Sequence, residues 1–94
     1  MEAQNEQQLH AIIRGRVQGV NFRYYTMQTA RELELTGWVR NLIEGTVEVT
    51  AEGPRHRLER LLRFLYTGPT NARVEDVEVE WRSVTHEYDS FNIR

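Results

Sequence analysis

The 94-residue sequence contains no cysteine and no lysine, and each absence removes a class of chemistry. Without cysteine there is no disulfide, no thiolate nucleophile and no sulfur-ligated metal site. Because all 12 basic residues are arginine, a lysine Schiff base is impossible. Serine occurs only at Ser83 and Ser90, and neither lies in a nucleophile-elbow sequence. If the chain is an enzyme, we expect its nucleophile to be water.

Long apolar runs and an excess of positive charge are also absent. No run approaches the length of a membrane span or a signal-peptide core, so we expect a cytoplasmic protein without a membrane partner. The formal net charge of -2 gives no electrostatic reason to expect nucleic acid as a partner. The histidines at positions 10, 56 and 86 are scattered over a strand, a helix start and a loop, so we predict no metal site.

Periodicity marks seven segments, which follow a polar tail without a period. Residues 1–8 are polar without a period, which predicts a disordered tail before a single domain at 9–94. Alternation predicts a first strand that starts near Gln8 and runs to residue 14, then strands at 38–43, 46–52, 74–82 and 91–94. Apolar residues three and four apart predict helices at 22–35 and 53–67.

This order, β-α-β-β-α-β with a short extra C-terminal strand, predicts an α+β ferredoxin-like sandwich. Right-handed crossovers place both helices on one face of an antiparallel sheet, with the first and third strands in the centre. In the third strand, the alternation directs Val47, Val49 and Ala51 into the core. Thr46, Glu48, Thr50 and Glu52 are predicted to face away from it.

The connection between the first strand and the first helix is the stretch GRVQGVNFR, residues 15–23. Gly15 and Gly19 can adopt positive φ and let a ligand approach the backbone closely. Consecutive N–H groups that enter a helix N-terminus form an anion site, for which phosphate is the usual guest. Arg23 adds a planar fork of donors that matches phosphate oxygens. An ordinary strand-to-helix connection with a surface arginine explains the spacing equally well.

Three stretches together closely resemble the acylphosphatase family: residues 15–23, GWVRN at 37–41 and EGTVE at 44–48. The resemblance runs from about Leu9 to the C-terminus and includes Gly53 and Gly68-Pro69. It implies hydrolysis of acyl phosphates to a carboxylate and inorganic phosphate, without metal or cofactor. It also implies that Arg23 grips the phosphate and that Asn41 positions the attacking water. The phosphate-binding loop implied by the family comprises Gly15, Arg16, Val17, Gln18, Gly19, Val20, Asn21 and Phe22.

That assignment is chemically consistent with the residues present. The leaving group of an acyl phosphate is a carboxylate with a pKa of roughly 4–5, so it departs without a general acid. Charge that develops on the phosphoryl oxygens suits backbone N–H groups and a guanidinium. The neutral amide of Asn41 can orient water through its oxygen but is a poor base. We therefore hypothesise that the substrate's own phosphate accepts the proton of water.

Other interpretations stay open from sequence. Asn41 fits a structural amide beside a turn. Ferredoxin-like sheets also serve as RNA-binding modules that stack bases on exposed aromatics. The chain could instead be a silent acylphosphatase-like domain or a small-anion binder without turnover. Aromatic residues at positions 24, 25, 38 and 81 are interpreted as core or rim residues. Arg16 and Arg40 are interpreted as surface charges near the site. We expect the chain to be a monomer.

Two positions depart from the family pattern. Asn21 stands where many relatives carry glycine or another small residue, and asparagine also tolerates the left-handed conformation. Glu34 stands where relatives usually have glycine near the end of the first helix. If the backbone of Glu34 is left-handed, the side chain costs on the order of 1–2 kcal/mol.

Overall fold

Alternating apolar strands and two amphipathic helices form the layers of the computed structural model, which describes residues 5–94. Two helices pack on one face of a five-stranded sheet, as predicted. In chain order the elements are β1 (Glu6–Arg16), α1 (Phe22–Glu32), β2 (Thr36–Asn41), β3 (Val47–Pro54), α2 (Arg55–Thr67), β4 (Arg73–Arg82) and β5 (Phe91–Ile93).

The strand order is β4-β1-β3-β2-β5, which confirms that β1 and β3 are central. The first four strands pair antiparallel, whereas β5 pairs parallel to β2. The sheet is therefore mixed, not wholly antiparallel as predicted. The direction of β5 follows from residues 83–90, which leave β4 at one edge, pass over the face opposite the helices and return at the other edge.

The core lies between the sheet and the two helices. Apolar side chains of the central strands meet the buried faces of the helices, where Phe22, Ala30 and Leu61 are at most 1% exposed. Val47, Val49 and Ala51 are fully buried in this layer, as their alternation predicts. The buried stripe on α2 consists of Leu58, Leu61 and Leu65.

The first strand begins earlier than the sequence indicates. Residues 6–8, assigned above to the polar tail, extend β1, and Glu6 lies opposite Pro54 of β3. Partners on β3 and α2 explain how polar residues form a strand here: Gln8 donates to the carboxylate of Glu52 at 2.7 Å, and Gln7 accepts from Arg55 at 2.8 Å. Residues 1–4 of the predicted tail lie outside the described residues.

The prediction that one face of β3 is exposed to solvent is also wrong at several positions. Thr46, Thr50 and Glu52 are 8%, 3% and 3% exposed, and at Glu52 another segment of the chain covers that face. Residues 83–90 lie over it, and Thr85 donates to Glu52 through both its backbone N–H and its hydroxyl. Alternation identified the two faces of the strand but not that both would be covered.

Helix α1 ends at Glu32, three residues before the predicted end. The N–H of Leu35 donates to the carbonyl of Ala30 at 2.9 Å, and that of Glu34 donates to Arg31 at 3.0 Å. This hydrogen-bond pair is the Schellman arrangement, in which the residue at the Glu34 position must be left-handed. Glu34 has φ 60°, so it adopts the left-handed conformation considered above although it carries a Cβ.

We expect Glu34→Gly to raise the free energy of unfolding by about 0.5–1 kcal/mol, after the extra entropy of glycine in the unfolded chain is subtracted. For a domain of this size the melting temperature should rise by roughly 3–6 °C. Glu34→Ala is the matched control, because it removes the exposed ion pair with Arg57 but keeps the strained Cβ. Equal melting temperatures for the two variants in thermal unfolding would refute backbone strain.

Candidate active site

The loop between β1 and α1 is anchored at three points. Val17 and Phe22, at its two ends, are each 1% exposed, and Phe22 packs against Phe64 with ring centroids 6.1 Å apart. Between them, the side-chain amide of Gln18 donates to the carbonyls of Leu42 and Thr46, both at 2.8 Å. These bonds tie the loop to the turn between β2 and β3, immediately after Asn41.

The outward part of the loop exposes its backbone. Gly19 has φ 77°, and a Cβ built there would meet no atom within 4 Å, so the main chain borders open space. Asn21, the residue before the helix, is left-handed at φ 64° and makes no side-chain capping bond. Because the first N–H groups of a helix have no intrahelical acceptor, this end of α1 offers donors and positive potential to an anion.

A cleft of about 270 Å³ opens at this point. Arg23 and Asn41, the two residues assigned above to catalysis, lie on different elements, and both line the cleft. Arg23 is half-buried in the first turn of α1, and Asn41 is the last residue of β2. The full lining is Val17, Gly19, Asn21, Phe22, Arg23, Tyr24, Asn41 and Ile93.

Asn41 carries an unsatisfied polar atom. Along β2 its side chain lies on the same face as Val39, which is fully buried toward the helices. Its Oδ1 atom is buried and accepts no hydrogen bond from the described residues. Buried side-chain oxygens are nearly always paired, so an unpaired acceptor in a cleft is typical of a position that binds water or ligand.

Four of the predicted loop residues do not line the cleft: Gly15, Arg16, Gln18 and Val20. Gly15 lies within β1 at a register shift, and a Cβ there would overlap the carbonyl oxygen of Arg73. Its positive φ of 128° therefore allows β4 to approach, not a ligand. Val20 packs toward the core and lines a neighbouring groove with Tyr25.

The chain matches the family model named Acylphosphatase over residues 9–93. The chain belongs to the acylphosphatase family. An acylphosphatase of Salinibacter ruber is 46% identical over the whole chain and 99% of that relative. Among solved structures, an acylphosphatase from Coxiella burnetii is 41% identical with a TM-score of 0.90 and full coverage of both chains. One from Bacillus subtilis is 35% identical, also at 0.90, over 94% of this chain and 98% of that one.

Membership of the acylphosphatase family, together with this fold, supports a hydrolase that acts on acyl phosphates in general. Among the described residues, no group of three or more histidines and carboxylates is placed to hold a metal ion. None of the helices in that part of the chain is long and apolar enough to cross a bilayer.

Two residues of the acylphosphatase cleft were not assigned to the site from sequence. Tyr24 was interpreted as a core or rim aromatic; it follows Arg23 directly and lines the cleft with 49% of its surface exposed. Ile93 reaches the cleft because β5 pairs parallel to β2, with Ile93 opposite Val39. Tyr24 could have been assigned to the cleft from sequence, because it follows Arg23 directly. No sequence pattern near Ile93 indicates that it reaches the cleft.

Among the described residues that line the cleft, Arg23 alone has a charged side chain. Arg40, interpreted above as a surface charge near the site, is paired with a carboxylate: its Nε donates to Glu48 at 2.7 Å on the opposite face of the sheet. Burial raises the pKa of Glu48, but hydrogen bonds from His10 and Arg40 outweigh burial and hold that pKa below its usual 4.5. Glu48 therefore stays ionised at neutral pH and keeps Arg40 paired.

Proposed function

We propose that the protein hydrolyses acyl phosphates by direct attack of water on phosphorus, without a metal or cofactor. The observation that carries the proposal is the shared cleft of Arg23 and Asn41 at the N-terminus of α1, where the buried Asn41 oxygen has no partner among the described residues. We further propose that it acts as a monomer in the cytoplasm, with inorganic phosphate as product and no nucleic-acid partner.

The phosphoryl group of the substrate occupies the loop end of the cleft. There the exposed backbone around Gly19 and the free N–H groups of the α1 N-terminus donate to its oxygens. The guanidinium of Arg23 contributes a charged, planar pair of donors. In a half-buried site these donors stabilise charge that grows on the phosphoryl oxygens in the transition state.

Water is held on the other side of phosphorus by Asn41. Its Oδ1 accepts a hydrogen bond from the water and directs an oxygen lone pair toward phosphorus. The new bond joins the water oxygen to phosphorus, and the bond from phosphorus to the acyl oxygen breaks. The carboxylate leaves with the electron pair and needs no proton, while the proton of water passes to a phosphoryl oxygen.

The face of the sheet opposite the helices does not favour the alternative of RNA binding. Trp38 is only 8% exposed there, and the guanidinium groups of Arg40 and Arg94 lie over its ring at 5.0 and 4.7 Å. The ring is therefore already covered, whereas RNA-binding sheets present open aromatic faces to bases.

The deciding experiment is turnover of benzoyl phosphate by the full chain in water enriched in heavy oxygen, before and after treatment with EDTA. We expect turnover that EDTA leaves unchanged, inhibition by inorganic phosphate, and heavy oxygen in the phosphate product. Absence of turnover contradicts the enzyme assignment, and loss with EDTA contradicts metal independence. Heavy oxygen in benzoate contradicts attack at phosphorus. Tryptophan fluorescence that responds to RNA would support the alternative.

A further inference from the structure

We propose that Tyr24 and Ile93 form an acyl-binding subsite, which makes the enzyme favour acyl phosphates with an uncharged aromatic or bulky apolar acyl group. The inference rests on the proposed function, because it concerns the end of the substrate that the phosphate site does not hold. Once Arg23, Asn41 and the loop backbone are assigned to phosphate and water, Tyr24 and Ile93 remain as the exposed apolar lining.

Tyr24 presents a ring that is already oriented. It follows Arg23 on α1, so an acyl group attached to a phosphate at Arg23 lies within its reach. The ring of Tyr24 packs edge-to-face against Tyr25, with centroids 5.2 Å apart and planes at 76°. Because a neighbour restrains the ring, little side-chain freedom is lost when a ligand covers it. Tyr24 can therefore offer an apolar contact at low entropic cost.

Ile93 faces the same space from the sheet. It pairs with Val39 in register, so it lies on the helix side of the sheet beside the strand that ends at Asn41. The backbone around it is fixed, since the N–H of Arg94 donates to the carbonyl of Val39 at 2.8 Å and Phe91 is buried two residues earlier. With 39% of its surface exposed, Ile93 has apolar area available for a ligand.

The charges around the subsite indicate what kind of acyl group it accepts. Arg23, which alone carries charge among the described lining residues, is matched to the phosphoryl group. Arg31 of α1 reaches β5, where it already donates to the carbonyl of Phe91 at 2.9 Å and to Asn92 at 3.1 Å. An acyl group that carries its own carboxylate would meet the apolar side chains of Tyr24 and Ile93 there, while Arg31 is already engaged. Such substrates should therefore be disfavoured.

The test measures kcat/KM for benzoyl phosphate and acetyl phosphate in the wild type and in the double variant Tyr24→Ala with Ile93→Ala. We expect the double variant to lose about tenfold with benzoyl phosphate and less than about twofold with acetyl phosphate. The loss should appear mainly in KM, since contact with a non-reacting group binds ground state and transition state alike. The comparison of ratios cancels the intrinsic reactivities of the two substrates.

Matched controls separate the subsite from a general loss of apolar surface. Tyr66→Ala with Ile43→Ala removes the same side-chain types from exposed positions outside the cleft and should leave the benzoyl-to-acetyl ratio unchanged. Tyr24→Phe should keep the wild-type ratio, because the ring and not the hydroxyl makes the contact. A preserved melting temperature and inhibition constant for inorganic phosphate would show that the double variant is folded with an intact phosphate end.

A second comparison tests the charge argument in the wild type. We expect para-carboxybenzoyl phosphate to have a kcat/KM about tenfold or more below that of benzoyl phosphate. Equal values for these two substrates, or equal losses for benzoyl and acetyl phosphate in the double variant, would overturn the subsite while the proposed function stands. Failure of the wild type to hydrolyse any of the three would overturn both.

Discussion

Arg23→Gln is expected to lower kcat/KM for benzoyl phosphate by about a thousandfold or more. Glutamine keeps a side-chain donor but loses the charge and the paired geometry that match a phosphoryl group. Among the described residues that line the cleft, no other side chain carries positive charge, so none of them can replace the guanidinium. The loss should appear in both kcat and KM and be accompanied by weaker inhibition by inorganic phosphate, because the same group is expected to bind substrate, product and transition state.

Two further variants make the result specific to the cleft. Arg23→Lys keeps the positive charge but lacks the planar pair of guanidinium donors. Its rate should therefore lie between those of Arg23→Gln and the wild type. Arg63→Gln removes an exposed arginine from α2, outside the cleft, and should behave as wild type. If Arg23→Gln keeps its fold by circular dichroism and its kcat/KM lies within tenfold of the wild-type value, Arg23 is not the phosphate ligand.

The residues proposed to bind phosphate lie close together in the chain, so their position at one end of α1 could be predicted from sequence. Gly19, Asn21 and Arg23 lie within five residues, and the turn chemistry of a loop entering a helix fixes where their backbone and side chains point. Asn41 needed only the alternation of β2 and the hairpin that follows, but its place beside Arg23 also depends on how α1 packs against β2. Both residues line one cleft.

The parts that sequence missed depend on distant pairing. Ile93 reaches the cleft through a parallel strand whose direction is set by residues 83–90, and no local pattern specifies that path. Gly15 resembled a ligand-facing glycine, yet its missing Cβ serves contact with Arg73, far along the chain. Short-range periodicity identifies which face a residue is on, but not which segment later covers that face.

Glu52 is the clearest example of a residue covered by a distant segment of the chain. Its replacement is expected to have the largest effect on stability. The side chain was expected in solvent, yet Glu52 is 3% exposed. Its Oε2 accepts from Gln8 at 2.7 Å and from the hydroxyl and N–H of Thr85 at 2.7 and 2.9 Å. Its Oε1 accepts from the N–H of His86 at 3.0 Å. We expect Glu52→Gln to lower the free energy of unfolding by about 2–3 kcal/mol, because an amide nitrogen would face donors that need an acceptor.

The effect should depend on pH. Burial raises the pKa of Glu52, but hydrogen bonds from Thr85, Gln8 and His86 outweigh burial and hold that pKa below its usual 4.5. A carboxyl group whose pKa is lower in the folded than in the unfolded state stabilises the fold fully above the unfolded value. That stability is lost as pH falls below about 4.5 and through the folded pKa.

The difference in unfolding free energy between wild type and Glu52→Gln should therefore be largest near neutral pH and shrink in acid. Urea unfolding at a series of pH values measures it, with Glu75→Gln, an exposed carboxylate on β4, as the control that should stay within about 0.5 kcal/mol of wild type. Thr85→Val removes the hydroxyl that donates to Glu52 and should cost less when Glu52 is already glutamine. Two results would mean that the buried carboxylate does not hold residues 83–90 on the sheet. One is a difference in unfolding free energy between wild type and Glu52→Gln that does not change with pH. The other is additive losses of unfolding free energy when Glu52→Gln and Thr85→Val are combined.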